Sequence, residues 1–328
     1  MAPRVLIFGT GSIGAVYAWV LSQAIPASDI TAICRSNYEE ASRNGFTIHS
    51  THWGNDLKVQ PAVARTVSEA IEASSGKPFD FVFICSKALP TKPSTAELIK
   101  PAVSKDTAIV LIQNGIGIEG EFATAYPNNP VLSAVVYLPA TQVSPGVVQH
   151  KEIELLHVGT YPAEAPEPAK NAAKSLVDLL TAAGATAKLH DDVQAERWGK
   201  LLVNASWNPI CALTRCRDRQ FLDANDDVLS FIKDVMMEIA SVAQAYGYSK
   251  INGELVEFQL NRAAKRDLPG VQPSMLADTL SERNLEVDAI VGNVVRLAKE
   301  KGVNVPLLRT IYLLACGLDH SFTLARAS

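Results

Sequence analysis

The first half of the chain alternates short apolar runs with polar stretches that contain glycine and proline. Residues 5–8, 29–34, 79–85 and 107–112 are compact and rich in aliphatic or aromatic side chains, as buried strands are. Between them apolar residues return at helical spacing, at Val16, Val20 and Leu21 and again over residues 67–71. Strands alternating with helices predict a parallel, doubly wound sheet. Residues 46–49 and 57–59 predict a hairpin, with Trp53-Gly54-Asn55-Asp56 turning between its strands. Extended segments follow at 131–140, 147–150 and 155–159. Then come an amphipathic helix over 169–183 with Gly184 as its C-terminal cap, and a last strand over 186–189. Past His190 the strand pattern stops and helical periodicity dominates to about Leu318. The expectation is two domains, an α/β domain over 1–190 and a mostly α-helical one over 191–328.

The first strand-to-helix junction carries chemistry. Residues 4–8 run into Gly9-Thr10-Gly11-Ser12-Ile13-Gly14, and a helical pattern continues to Gln23. In a Gly-x-Gly-x-x-Gly turn the first glycine allows the tight bend. The second lets backbone approach a pyrophosphate, and the third lets helix and strand pack closely. The helix N-terminus adds unpaired N–H groups and partial positive charge. The motif alone is weak, but the flanking strand and helix favour a Rossmann-type dinucleotide site over an ordinary turn. Roughly twenty residues on, at the end of the second strand, stands Arg35, with no carboxylate before Glu39. An acidic residue there suits NAD, whereas arginine suits the 2′-phosphate of NADP. Arg35 also reads as an ordinary exposed loop residue; NADP is the better reading. Lys87 and Asn114 directly follow apolar strands, where open α/β sheets bind ligands, although each alone also reads as a loop or turn residue.

In the second half, Lys200, Asn204 and Asn208 stand four apart, so a helix aligns them on one face. Asparagine is a poor helix former, and two in register with a lysine among apolar neighbours suggest a polar stripe facing a cleft. An exposed amphipathic face would look the same. Pro209 should end or kink that helix near Asn208. A long helix is expected from Ser274, after Pro273, to Lys301, before Gly302; within it Glu286 faces either solvent or a lysine across a cleft, and sequence alone favours solvent.

Composition narrows the class. With 328 residues, 48% hydrophobic and 20% charged, the chain suits a globular protein with a sizeable core. A net charge of −4 and no basic cluster speak against nucleic acid. No apolar run reaches the roughly eighteen residues of a membrane span. The first strand begins almost at Met1, leaving no room for a signal peptide, so a cytoplasmic protein is expected. Five scattered cysteines read as reduced thiols, and Cys211 and Cys216 have no histidine partners for zinc, so no metal is expected. Apolar faces on the second domain would support a homodimer.

Together the glycine loop, Ser86-Lys87-Ala88, Gln113-Asn114-Gly115-Ile116-Gly117, the stretch from Trp198 to Pro209, and Ser274-Met275-Leu276-Ala277-Asp278 with Glu286-Val287-Asp288 resemble the ketopantoate reductase (2-dehydropantoate 2-reductase) family. The resemblance covers essentially the whole chain. It implies a Rossmann domain and a helical domain with the active site between them, NADPH as cofactor, and reduction of a 2-oxo acid to a 2-hydroxy acid. It makes Lys200 the catalytic lysine and Glu286 an active-site glutamate. Asn204, Asn208 and Ser274 become substrate-binding residues, and Lys87 and Asn114 neighbours of nicotinamide and substrate. The residue types suit that chemistry: a protonated lysine can stabilise and then protonate a developing alkoxide, and a carboxylate can hold it charged. One position departs. Where the family pattern has a substrate-binding asparagine, three residues before Ser274, this chain has Val271, with Gln272 as the candidate substitute; ketopantoate stays the first-named substrate, and a branched or bulkier 2-oxo acid is the alternative. Another two-domain dehydrogenase, or a non-catalytic NADP-binding sensor, is the rival reading.

Overall fold

A computed structural model describes residues 2–74 and 76–327, which divide into two compact units. The first comprises residues 1–87, 91–113 and 118–193; the second, residues 88–90, 114–117 and 194–328.

In the first unit, four strands with every residue buried form the middle of the main sheet: β1 (Val5–Phe8), β2 (Ile30–Ile33), and two that follow later in the chain. Helix α1 (Ser12–Ser22) follows β1, and α2 (Tyr38–Asn44) follows β2. Strands β3 (Phe46–Ser50) and β4 (Gly54–Val59) form a hairpin, and β5 (Ala62–Ala64) returns to the sheet before α3 (Val67–Ala73). The other two central strands are β6 (Phe81–Ile84) and, past α4 (Thr95–Ile99), β7 (Ala108–Leu111). Next come α5 (Gly120–Ala125), β8 (Val131–Tyr137), β9 (Ala140–Ser144), β10 (Val147–His150) and β11 (Leu155–Thr160), then α6 (Glu167–Ala182) and β12 (Ala187–Leu189). The main sheet runs β12-β11-β8-β7-β6-β1-β2-β5, and a smaller one runs β4-β3-β10-β9. Side chains of β1, β2, β6 and β7 meet α1 in one apolar core. Being buried on both faces, these strands show no polar alternation.

The sheet is mixed rather than wholly parallel, because β11 pairs antiparallel with β8. The chain between them forms β9 and β10 instead of a crossover helix, and a parallel return needs such a crossover. The first hairpin turns at residues 51–53, and Gly54, Asn55 and Asp56 already lie in β4.

The second unit is helical: α7 (Gln194–Thr214), α8 (Asp218–Leu222), α9 (Val228–Ala245), α10 (Gly253–Ala264), α11 (Ser274–Leu280), α12 (Asn293–Lys301) and α13 (Pro306–Ala327). Two expectations fail here. Helix α7 passes through Pro209 and reaches Thr214. Trp207, Pro209, Ile210, Cys211 and Ala212 are all buried, and their burial offsets the roughly 3 kcal/mol that an interior proline costs. The expected helix over 274–301 is broken. It stops at Leu280, Glu282 turns through φ +50°, and helix resumes as a wider π segment (Asp288–Gly292) leading into α12. Asp278 and Asp319 hold the break, accepting bonds from the Arg283 guanidinium Nε (3.0 Å) and the Leu285 N–H (2.8 Å). The last helix also runs past Leu318 to Ala327.

Candidate active site

At the glycine loop, Gly9 takes φ +91°, and a Cβ there would lie 2.4 Å from the Ser86 nitrogen. A Cβ on Gly14 would lie 2.7 Å from the Gly9 carbonyl oxygen, whereas one on Gly11 would meet nothing within 4 Å. Two glycines therefore serve backbone packing, and the third leaves open space for a ligand. No side chain caps the start of α1, so its first-turn N–H groups stay available to an anion. Ser86 Oγ is buried and has no hydrogen-bond partner among the described residues, a polar atom that a bound dinucleotide would satisfy. Thr10 is buried, its hydroxyl donating to the Ile33 carbonyl (3.0 Å), and Asn37 Nδ2 donates to the Thr10 carbonyl (2.8 Å). Sequence reasoning passed over Asn37, although its place just beyond β2 was a signal.

Arg35 is exposed at the end of β2. The nearest following carboxylate, Glu39, is engaged: it pairs with Arg65 and lies 3.8 Å from Arg43. The Arg65 guanidinium also stacks over Tyr38 at 3.9 Å from the ring centroid. The Glu39 carboxylate at this corner is therefore already matched by arginine. Lys87 is partly buried just beyond β6.

In the second unit, residues 114–117 are locked against α7 and the π segment. Gly115 takes φ +104°, and a Cβ there would lie 2.3 Å from the Ala289 carbonyl oxygen, so only glycine fits. The Ile116 N–H donates to that same carbonyl (3.0 Å), and Asn293 Nδ2 donates to the Ile116 carbonyl (2.5 Å). From α7 the buried Arg197 donates to the Gly115 carbonyl (2.9 Å). These bonds fix Asn114, whose Oδ1 accepts from Lys200 Nζ at 2.8 Å.

Lys200 is partly buried, one turn after Arg197. Burial disfavours its charge and Arg197 repels it; Glu286 pulls the other way, and the balance pushes its pKa down to about 7. Glu286, expected to face solvent, is partly buried, and its Oε1 accepts the Ala88 N–H at 2.9 Å. Asn204 follows Lys200 by one turn and is partly buried. Asn208 is buried, and its Oδ1 accepts from Ser274 Oγ and the Met275 N–H, both 3.3 Å, satisfying an otherwise orphaned donor in the first turn of α11. Ser274 itself is exposed. The second unit thus brings Lys200, Asn114, Ala88 and Glu286 into one construction, with Asn208 and Ser274 in another. Arg197 was missed in the sequence, though its spacing of three residues from Lys200 places it on the same helical face.

Residues 5–163 match the family model described as ketopantoate reductase PanE/ApbA, and residues 192–318 match its C-terminal counterpart. The chain belongs to the ketopantoate reductase family. It is accordingly a nicotinamide-dependent oxidoreductase with a Rossmann-type first part and a helical second part. The crystal structure of 2-dehydropantoate 2-reductase from Methylococcus capsulatus is similar at 30% identity and TM-score 0.83, covering 97% of each chain. The meiotically up-regulated gene 72 protein of Schizosaccharomyces pombe is 29% identical over 323 residues, 95% of this chain; the chain spans 56% of that relative's length. D-mandelate dehydrogenase, solved with NADH and anilino(oxo)acetate, shares the fold at 21% identity and TM-score 0.83, covering 98% of this chain and 99% of its own. No helix among the described residues is long and apolar enough to cross a membrane.

Proposed function

We propose that this family member reduces a 2-oxo acid to the 2-hydroxy acid with NADPH, ketopantoate to pantoate being the first substrate pair to test. The observation that carries this reading is Lys200, held by Asn114 and shifted to a pKa of about 7. A general acid works best with a pKa near the working pH. When bound, the cofactor supplies a hydride to the carbonyl carbon. As charge grows on the carbonyl oxygen, the Lys200 ammonium hydrogen-bonds to it and delivers its Nζ proton. Asn114 Oδ1 restrains the lysine, and Glu286, itself restrained by the Ala88 N–H, favours the charged form. Asn204, Asn208 and Ser274 are read as substrate contacts, with Ser274 oriented by Asn208.

NADPH is preferred over NADH because Arg35 is exposed just past β2 while Glu39, the nearest following carboxylate, is paired with Arg65. An arginine can pair with a 2′-phosphate bidentately. The glycine loop, with Lys87 near the nicotinamide, would hold the rest of the dinucleotide. Val271, 43% exposed, favours a second reading in which a branched or bulkier 2-oxo acid is the better substrate. A cytoplasmic homodimer serving pantothenate synthesis completes the proposal.

The test is oxidation of reduced nicotinamide with ketopantoate, 2-oxoisovalerate and bulkier 2-oxo acids, NADPH and NADH side by side. At least one acid should be reduced, faster with NADPH, and Lys200→Ala should lower kcat about a hundredfold or more. Undiminished turnover in Lys200→Ala would remove the lysine's role, and tight NADPH binding without turnover on any acid would favour the sensor.

A further inference from the structure

The segment from Arg266 to Ser274 ends at the proposed substrate serine and contains the divergent Val271. It is anchored by one buried carboxylate. Asp218, at the start of α8, is 1% exposed. Its Oδ1 accepts the Val271 N–H (2.7 Å) and the Arg219 N–H (2.7 Å), and its Oδ2 pairs with Arg266. The Asp218 N–H returns a bond to the Val271 carbonyl (3.3 Å), so the two residues are doubly tied. Gly270, at φ +82°, sits so close that a Cβ would lie 2.3 Å from Asp218 Oδ1. Arg217 adds bonds to the Gly270 carbonyl and to Gln272 Oε1, each 3.3 Å. Asn208 secures the far end through Ser274 and Met275.

A buried carboxylate with one cation and two backbone donors is well satisfied, and removing any of them leaves the others uncompensated. The backbone of Val271 is consumed by these bonds, and its side chain is left exposed. The backbone at Gly270 and Val271 thus takes its position from Asp218, and the bonds of Arg217 and Asn208 carry that register on to Gln272 and Ser274. We infer that Asp218 is a positioning residue for substrate recognition: with Arg266 it fixes the register of Val271, Gln272 and Ser274 and so sets which 2-oxo acid is accepted. The inference rests on the proposed 2-oxo acid reduction.

The experiment compares the wild type with Asp218→Asn, Arg266→Gln and the double variant, measuring kcat and KM for each 2-oxo acid and the Kd of NADPH. Asp218→Asn keeps an acceptor for both N–H groups but turns an amide towards Arg266. It should raise the KM of the acid about tenfold while kcat and the NADPH Kd stay within about twofold. In the double variant an amide faces an amide, and most of the KM should return, which a loss of general stability would not produce. Arg266→Gln alone should raise KM about threefold, so the outcome does not hang on Asp218→Asn folding. A KM within twofold of wild type in both single variants, or equal rises in the KM of the acid and the Kd of NADPH, overturns the inference. Absence of wild-type turnover would instead refute the proposed reaction. Hydrogen exchange of the 268–276 amides then decides: faster exchange in Asp218→Asn, reversed in the double variant, upholds the anchoring, and unchanged exchange overturns it.

Discussion

Lys200 sits in a setting that disfavours its charged form, and the chemistry proposed for it follows from that. Its pKa lies at about 7 in the folded chain, below the ordinary 10.5, because burial and Arg197 outweigh the attraction of Glu286. In the proposed reduction Lys200 gives up a proton, so only its ammonium form supports the reaction. We expect kcat/KM for reduction to be level below about pH 7 and to fall tenfold per unit above it, while oxidation of the 2-hydroxy acid rises over the same interval. A profile flat from pH 6 to about pH 9 would mean that another group supplies the proton. The lysine's place on the helix face could be read from its spacing to Asn204 and Asn208. Its partners could not: Asn114 and Glu286 lie 86 residues before and after it by coincidence of numbering, and Arg197's role depends on a carbonyl at Gly115.

At the scale of elements, the segment 114–117 works as a clasp whose shape depends on Gly115. Its left-handed φ and the Ala289 carbonyl both exclude a side chain. Gly115→Ala should cost about 2–4 kcal/mol of stability, visible as a lower Cm in urea, and should lower kcat further by moving Asn114 from Lys200. A variant with wild-type Cm would show that the clasp yields without strain. The glycine's need for a positive φ was not legible, since Asn-Gly also reads as a plain turn. Helix ends were legible where local chemistry decides them, as at Gly184 and Gly302, which take positive φ at the ends of their helices. They were not legible where distant groups decide them. Pro209 is carried through α7 by core burial, and the break after Leu280 is held by Asp278 and by Asp319 from α13.

At the scale of the molecule, the site's electrostatics are charged against stability. Between about pH 7 and pH 10.5 the unfolded chain holds a proton on Lys200 that the folded chain has released, so this residue makes stability rise with pH across that window. Below about pH 7 its unfavourable contribution is constant and at its largest. Lys200→Met should therefore raise Tm, and by more at about pH 6 than at about pH 10. An equal gain at both pH values, or a loss, would mean that the lysine's burial carries no charge penalty. Such a cost is expected where a proposed active site is poised at the expense of a stable fold.

What the sequence determined by itself was whatever depends on neighbours along the chain. Buried strands declare themselves by continuous apolar runs, the dinucleotide loop by glycines between strand and helix, and the Lys200 face by a spacing of four. The change from strands to helices past His190 needed only periodicity. The tertiary structure alone decided what depends on groups far apart in sequence. The antiparallel β11 follows from the hairpin inserted before it. The partial burial of Glu286 follows from the Ala88 N–H, and the pKa of Lys200 from burial and two charges. Periodicity reports which way a side chain points; only packing shows what it meets there, and charge and hydrogen bonding act on what is met.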